Sequence, residues 1–162
     1  MKSGWLAGLL LLLACATGVA QDYSLSVEQR GANLFKVVGQ EIYLQTRYCY
    51  VEAGTAEVQL ELDEDGGGRI AFKALERSCD VAAAYAKSSL DAREYPVTVS
   101  RVDSNWYALD GEAAMLLTDG CLSQVSGAAA RLNMTSDGSG MLTIADAEEC
   151  RVEAIYAPLA RD

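Results

Sequence analysis

The sequence predicts a mostly β protein in which two tandem units of roughly 70 residues, each closed by a disulfide, are related by a pseudo-two-fold axis. Three observations lead to this prediction. The chain aligns with itself at a nearly constant offset, short segments of both copies alternate apolar and polar residues, and glycine-rich turn signals separate those segments. Because one small unit with exposed sheet edges would be marginal alone, we expect the two to pack through apolar sheet faces into a sandwich or a barrel-like body.

The internal repeat brings cysteines, turn glycines and aromatic residues into register. The offset is 72 residues as far as the Gly68 hairpin, and a one-residue deletion then reduces it to 71. The most informative pairs, which we call counterparts, are Tyr23 and Tyr95, Cys49 and Cys121, Gly66 and Gly138, Cys79 and Cys150, and Tyr85 and Tyr156. Chance is a poor explanation for two cysteine pairs in register together with turn and aromatic residues, so the pattern indicates a duplication.

Each unit contains six short segments with the pattern of β-strands. In the first unit these are 25–27, 34–38, 42–45, 58–62, 70–72 and 79–85. Along 58–62 apolar and polar residues alternate strictly, which gives the strand one apolar face. The stretch after Cys79 also holds good helix formers, but its counterpart, 152–156, has a strand pattern, and we therefore predict a strand there.

Glycines mark the turns between these segments. Asp65-Gly66-Gly67-Gly68 and its counterpart, Asp137-Gly138-Ser139-Gly140, are typical of hairpin turns because glycine adopts a positive φ at little steric cost. Gly39 and Gly111 indicate a second turn in each unit. Unit 1 is predicted to span 23–86, and unit 2 is predicted to span 95–157.

The connection between the units and the two chain ends are predicted separately. The linker 87–94 is expected to hold a helical turn that begins at Ser88 or Ser89, since serine is a good N-cap residue. A short tail, 158–162, follows unit 2. Residues 1–20 have the order of a secretory signal peptide, with Lys2, then an apolar run, then small residues ending at Ala20.

Cys15 leaves two interpretations of the processed N terminus. The residues Leu12-Leu13-Ala14-Cys15 are similar to a bacterial lipobox, in which the cysteine becomes the lipidated first residue. Cleavage after Ala20 would instead start the mature chain at Gln21. The sequence thus predicts an exported periplasmic or secreted protein, with a lipid-anchored protein of a bacterial envelope membrane as the alternative.

Besides Cys15, four cysteines remain after either cleavage, and an even number in the fold of a small exported protein predicts two disulfides. Three pairings are available, and we prefer Cys49 with Cys79 and Cys121 with Cys150, because each bridge then closes one unit. A loop of this size is expected to stabilise the fold by roughly 3.5 kcal/mol through the entropy of the unfolded chain.

The charge of the chain limits its partners. The formal net charge is −10, and it becomes one unit more negative once Lys2 is removed. Basic residues are not clustered, so neither nucleic acid nor an anionic membrane surface is an expected partner. We expect no membrane insertion after processing, unless a lipid on Cys15 anchors the chain. An acidic surface fits a basic protein partner, or simply a need for solubility, and the sequence does not indicate an oligomeric state.

Most catalytic and metal-binding chemistry lacks the residues it needs. The chain has no histidine, no C-x-x-C pair and no phosphate-binding glycine loop, and we predict no cofactor and no metal. Carboxylates at Glu61, Asp63, Glu64 and Asp65 leave a small carboxylate-dependent hydrolase as an alternative. The Asp63-x-Asp65-Gly66 stretch offers too few oxygen ligands for calcium, and a turn explains it.

Two tyrosines flank the first cysteine of unit 1. On an extended strand, Tyr48 and Tyr50 would share the face opposite to Cys49. Tyrosine is enriched in interfaces, although residues beside a disulfide more often just cover a sheet. The counterparts of the pair are Gly120 and Leu122, so this feature belongs to one unit. The sequence thus leaves the acted-on molecule unknown and favours a non-catalytic module that binds or inhibits a basic protein.

Overall fold

The computed structural model describes residues 21–159, which contain twelve β-strands and no helix. The strands are β1 (Gln21–Gly31), β2 (Leu34–Val37), β3 (Ile42–Arg47), β4 (Thr55–Leu62), β5 (Gly68–Phe72), β6 (Arg77–Ser88), β7 (Glu94–Asp103), β8 (Trp106–Leu109), β9 (Ala114–Asp119), β10 (Ala128–Met134), β11 (Gly140–Ile144) and β12 (Glu149–Pro158). The mostly β fold class is confirmed. In this part of the chain no helix is long and apolar enough to cross a membrane.

The strands close into two six-stranded barrels. In barrel 1, strands β6, β3, β2, β1, β4 and β5 pair in that order, and β5 pairs again with β6. In barrel 2, strands β12, β9, β8, β7, β10 and β11 pair in the corresponding order, and β11 pairs again with β12. Each described strand therefore has a paired neighbour on both sides, which resolves the edge problem expected of each unit alone. A closed barrel is therefore observed, but it forms within each unit and not from the two units together, and the duplication stays a prediction.

Strand alternation fills each barrel with apolar side chains. In β10, Ala130, Leu132 and Met134 point inward and are buried, while the residues between them are exposed. The core of barrel 1 has the same construction, with Val58, Leu60 and Leu62 of β4 buried. Burying a side chain of this size contributes about 1.5–3 kcal/mol, so the alternation read from the sequence accounts for much of each core.

The barrels join through a short ladder between β6 and β12. In this ladder Ala86 pairs with Ala157, and these two residues are counterparts of each other. The flanking pairs are Tyr85 with Pro158 and Lys87 with Tyr156. Replacing each residue of one flanking pair by its counterpart gives the other flanking pair. A pairing that maps onto itself in this way is isologous, as the predicted pseudo-two-fold axis requires, and that axis would pass between Ala86 and Ala157.

A third apolar cluster fills the space between the two barrels, next to this ladder. Its buried members are Leu34, Tyr43 and Tyr85 from barrel 1 and Trp106, Met115, Ala154 and Tyr156 from barrel 2. The rings of Tyr43, Trp106 and Tyr156 meet with centroids 4.6–5.2 Å apart, mostly tilted or edge-on. The outer faces of two barrels thus form one more core, which fixes their relative position.

The predicted helical turn in the linker is wrong. Lys87 and Ser88 continue β6 into the ladder with β12, Glu94 already begins β7, and the residues between are not helical. Within this connection, Leu90 packs against the core of barrel 2. Pairing with β12 therefore overrides the local preference of the serines for a helix start.

Both disulfides are confirmed as pairings within a unit. Cys49 bonds to Cys79 with Cα atoms 5.4 Å apart, and Cys121 bonds to Cys150 with Cα atoms 5.2 Å apart. Two intramolecular disulfides fit an oxidising compartment. The predicted leader, including Cys15, lies outside the described residues.

Candidate functional site

The tyrosine pair lies on a loop that closes one end of barrel 1. This loop, residues 48–54, is called cap loop 1. Its Val51 and Ala53 are buried in the barrel core, and its Cys49 is tied to Cys79 at the start of β6. The loop therefore acts as a plug, with apolar residues inward and the remaining residues outward.

Hydrogen bonds to β1 and the turn after it hold cap loop 1 in place. The Gln29 side-chain oxygen accepts from the Ala53 N–H at 2.9 Å, and its amide nitrogen donates to the Val51 carbonyl at 3.1 Å. The Asn33 side chain accepts from the Cys49 N–H at 3.0 Å. With the disulfide, these bonds make the loop a pre-organised surface.

The two tyrosines project from this loop into solvent, with Tyr48 82% and Tyr50 81% exposed. The prediction that they lie on an extended strand is wrong, because β3 ends at Arg47 and Tyr48 has a φ of 52°. This left-handed residue turns the chain so that Cys49 enters the barrel. A side chain is costly in that conformation, by about 1–2 kcal/mol, and the counterpart of Tyr48 is Gly120, whose φ is 68°.

Barrel 2 carries an equivalent plug, cap loop 2, at residues 120–127. Its Leu122 is 70% exposed, and its Val125 packs against the barrel core. The Glu148 carboxylate accepts hydrogen bonds from the Leu122 N–H at 2.7 Å and from the Ser123 hydroxyl at 2.7 Å. The Ser123 hydroxyl, followed by the Leu122 N–H, lowers the pKa of Glu148.

Glu148→Gln is expected to destabilise the protein most near neutral pH. A carboxylate whose pKa is lowered on folding adds stability above its ordinary value of 4.5, and this stability is lost as the pH falls through the folded pKa. The melting temperatures of wild type and variant should therefore converge below that value. Glu153→Gln, on the exposed side of β12, is the control, and a pH-independent gap for Glu148→Gln would contradict the prediction.

The two cap loops lie at the same end of the molecule, which we call the cap end. Asn33 holds cap loop 1, and the neighbouring Ala32 N–H donates to the Asp103 carboxylate of barrel 2 at 3.0 Å. The Arg101 guanidinium then donates to the Ser104 carbonyl and to the Leu122 carbonyl of cap loop 2. This chain of contacts links the turn that holds cap loop 1 to cap loop 2 across the junction between the barrels.

The carboxylates considered for hydrolysis lie far from the cap end. Glu61, Asp63, Glu64 and Asp65 are exposed at the β4–β5 hairpin, which the length of β4 separates from cap loop 1. On barrel 2, a groove of about 420 Å³ is lined in part by Asp110 and Glu112, which are also exposed. Neither the hairpin nor the groove buries a pair of these carboxylates, as an active site commonly does.

One group of metal-ligand types occurs among the described residues, consisting of Cys121, Glu148 and Cys150. Both cysteines are joined in the disulfide, and the Glu148 carboxylate already accepts hydrogen bonds from cap loop 2. The three side chains are therefore committed to closing barrel 2.

Comparisons with known proteins add no assignment, because no family model, no curated protein and no solved structure matches the chain. Sequence reasoning identified the tyrosine pair but missed the residues that hold it, Gln29 and Asn33. The self-alignment did contain one signal for this site, because Tyr48 aligns with Gly120. Both residues have a positive φ, which favours glycine, and unit 1 nevertheless carries a tyrosine there.

Proposed function

We propose that the protein is an exported, non-catalytic module that binds or inhibits a basic protein, and that Tyr48 and Tyr50 make the central contacts. The observation that carries this proposal is a rigid loop that exposes both rings while Tyr48 holds a costly left-handed conformation. Backbone strain of this kind clusters at ligand-binding and active sites, and here it aims an exposed aromatic side chain.

Physical chemistry favours this use of the loop. Tyrosine offers a large contact area with few rotatable bonds, so little side-chain entropy is lost when a partner binds. The disulfide and the bonds from Gln29 and Asn33 order the backbone before binding, which reduces the cost further. The net charge of −10 would speed the encounter with a basic partner at low ionic strength.

Export is part of the same proposal. The signal-peptide pattern of residues 1–20 supports it, as do the two disulfides. We propose a periplasmic or secreted protein that starts at Gln21, with a lipid-anchored form through Cys15 as the alternative. The intact mass of the mature protein distinguishes these two forms.

Tyr48→Gly is expected to stabilise the fold slightly while weakening partner binding. Glycine relieves the left-handed strain of about 1–2 kcal/mol but adds about 0.5–1 kcal/mol of entropy to the unfolded chain. Tyr50→Gly is the matched control, because Tyr50 has no positive φ and should only lose stability. Urea unfolding of both variants measures the difference, and equal loss of stability in the two would contradict the strain argument.

Binding is tested by capture from an extract of exported proteins of the source cell. Wild type and a Glu64→Gln control, altered at the opposite end, should retain the same basic protein at low salt and release it at high salt. The double variant Tyr48→Gly, Tyr50→Ser should not retain it. Equal capture by the double variant, or capture of nothing by wild type, would count against the proposed function.

A further inference from the structure

A carboxylate from barrel 2 bridges both barrels at the cap end. The Asp103 Oδ2 atom accepts from the Ala32 N–H at 3.0 Å, and its Oδ1 atom accepts from the Ser104 N–H at 2.7 Å. Ala32 and Ser104 are counterparts, so the carboxylate is bonded to equivalent amides of the two units. Asp103 therefore lies near the predicted pseudo-two-fold axis.

The counterpart of Asp103 is Gly31, and the geometry explains the difference. The Asp103 carboxylate lies where a Cβ atom on Gly31 would be, so a side chain at position 31 would displace it. A side chain at position 31 and the Asp103 carboxylate would occupy the same space, so only one of the two units can have an aspartate here. The result is one carboxylate at this contact, where the repeat would otherwise place a symmetric pair.

A cleft of about 230 Å³ opens beside this carboxylate, between the barrels. Its lining is Ala32, Asn33, Leu34, Gln45 and Thr46 from barrel 1, with Val102 and Asp103 from barrel 2. That space exceeds the roughly 30 Å³ occupied by one water molecule in the liquid, so a side chain fits. The cleft adjoins cap loop 1, because Tyr48 is two residues beyond Thr46.

We propose that this cleft receives a cationic side chain, lysine or arginine, of the basic partner, which makes Asp103 the residue that selects it. The inference rests on the proposed function, since the tyrosines beside the cleft would contact the same partner. Each carboxylate oxygen accepts about two hydrogen bonds, so Oδ2 keeps capacity beyond the bond from Ala32. A charge-assisted bond to a partly buried carboxylate is stronger than one in open solvent.

Arg101, two residues before Asp103, does not form an ion pair with this carboxylate. The Arg101 guanidinium donates to three backbone carbonyls, those of Asp103, Ser104 and Leu122, and no bond joins it to the Asp103 carboxylate. The side chain therefore braces cap loop 2 and leaves the carboxylate to an incoming cation.

The test uses the full mature protein and two small probes at matched ionic strength. N-acetyl-arginine amide is titrated into 15N-labelled protein, and N-acetyl-citrulline amide, a neutral molecule of the same shape, is the comparison. We expect saturable shifts at the amides of Ala32, Thr46 and Ser104 with the arginine probe only. Asp103→Asn should weaken that binding on the order of ten-fold, whereas Asp110→Asn should leave it unchanged.

Three results would overturn the proposal. The first is amide shifts with the citrulline probe as large as those with the arginine probe. The second is an affinity of Asp103→Asn for the arginine probe equal to that of wild type. The third is amide shifts spread over residues with exposed carboxylates, such as Asp65. If Asp103→Asn fails to fold, the citrulline comparison on unaltered protein still decides. If the cleft binds the arginine probe but wild type captures no basic protein, only the proposed function is refuted. If Asp103→Asn captures the basic protein as well as wild type does, only the proposal about the cleft is refuted.

Discussion

Replacing Cys49 and Cys79 together is expected to cost little more stability than Cys49→Ser alone, whereas replacing Cys49 and Cys121 together should cost about twice as much. The bridges close loops with sequence separations of 30 and 29 residues. Each should contribute roughly 3.5 kcal/mol by limiting the unfolded chain. Since small domains are stable by only about 5–15 kcal/mol, losing both bridges should bring the protein close to unfolding. Urea denaturation of the three variants measures these costs.

The control for this experiment is Cys121→Ser with Cys150→Ser, which should match the Cys49 and Cys79 pair because the bridges are equivalent. The reverse ranking of the double variants would mean that the bridges form between units in solution. Each bridge also pins a cap loop, so the Cys49 variants should lose the rigid presentation of Tyr48 and Tyr50 as well.

Tyr156→Ala is expected to destabilise the protein by about 3–5 kcal/mol and to loosen the junction between the barrels. Tyr156 is fully buried between them, and its hydroxyl donates to the Glu41 carboxylate of barrel 1 at 3.0 Å. Burial, followed by this carboxylate, raises the pKa of Tyr156, so the hydroxyl stays protonated and able to donate. Trp106, whose ring centroid is 5.2 Å away, is the only tryptophan beyond residue 20 and reports on the junction by fluorescence.

Tyr156→Phe separates packing from hydrogen bonding. This variant keeps the ring and should lose only about 1 kcal/mol, with little change in the Trp106 emission. Tyr156→Ala should shift that emission to longer wavelength as water reaches the indole. An unchanged emission with intact stability would show that the inter-barrel core does not hold the two barrels together.

Local signals were sufficient for the strands, the turns and the disulfides. The alternation along 58–62 predicted the inward face of β4, because side chains on a strand point to opposite sides in turn. The Asp65-Gly66 signal predicted the β4–β5 hairpin, and the even number of cysteines predicted two bridges. The repeat supplied the pairing, since a bridge within each copy closes that copy.

Two expectations failed for the same physical reason. Ser88 is a good helix start, but it is placed in a strand by pairing with Ile155 on the other barrel. The sequence predicts an extended strand at Tyr48, but the chain turns there and Cys49 bonds to Cys79. In both cases a contact with a residue distant in sequence overrides a local preference that is worth only about 1–2 kcal/mol.

The sequence by itself determined a mostly β chain with two disulfides, because alternation, turn residues and cysteine parity act over short distances, and it predicted two similar units. Only the tertiary structure decided that each unit closes into its own barrel, and that the cap loops share one end. It alone also placed the Asp103 carboxylate against Gly31, its counterpart 72 residues earlier. Strand closure and the position of a two-fold axis depend on pairings between residues far apart in the chain, and no local pattern encodes them.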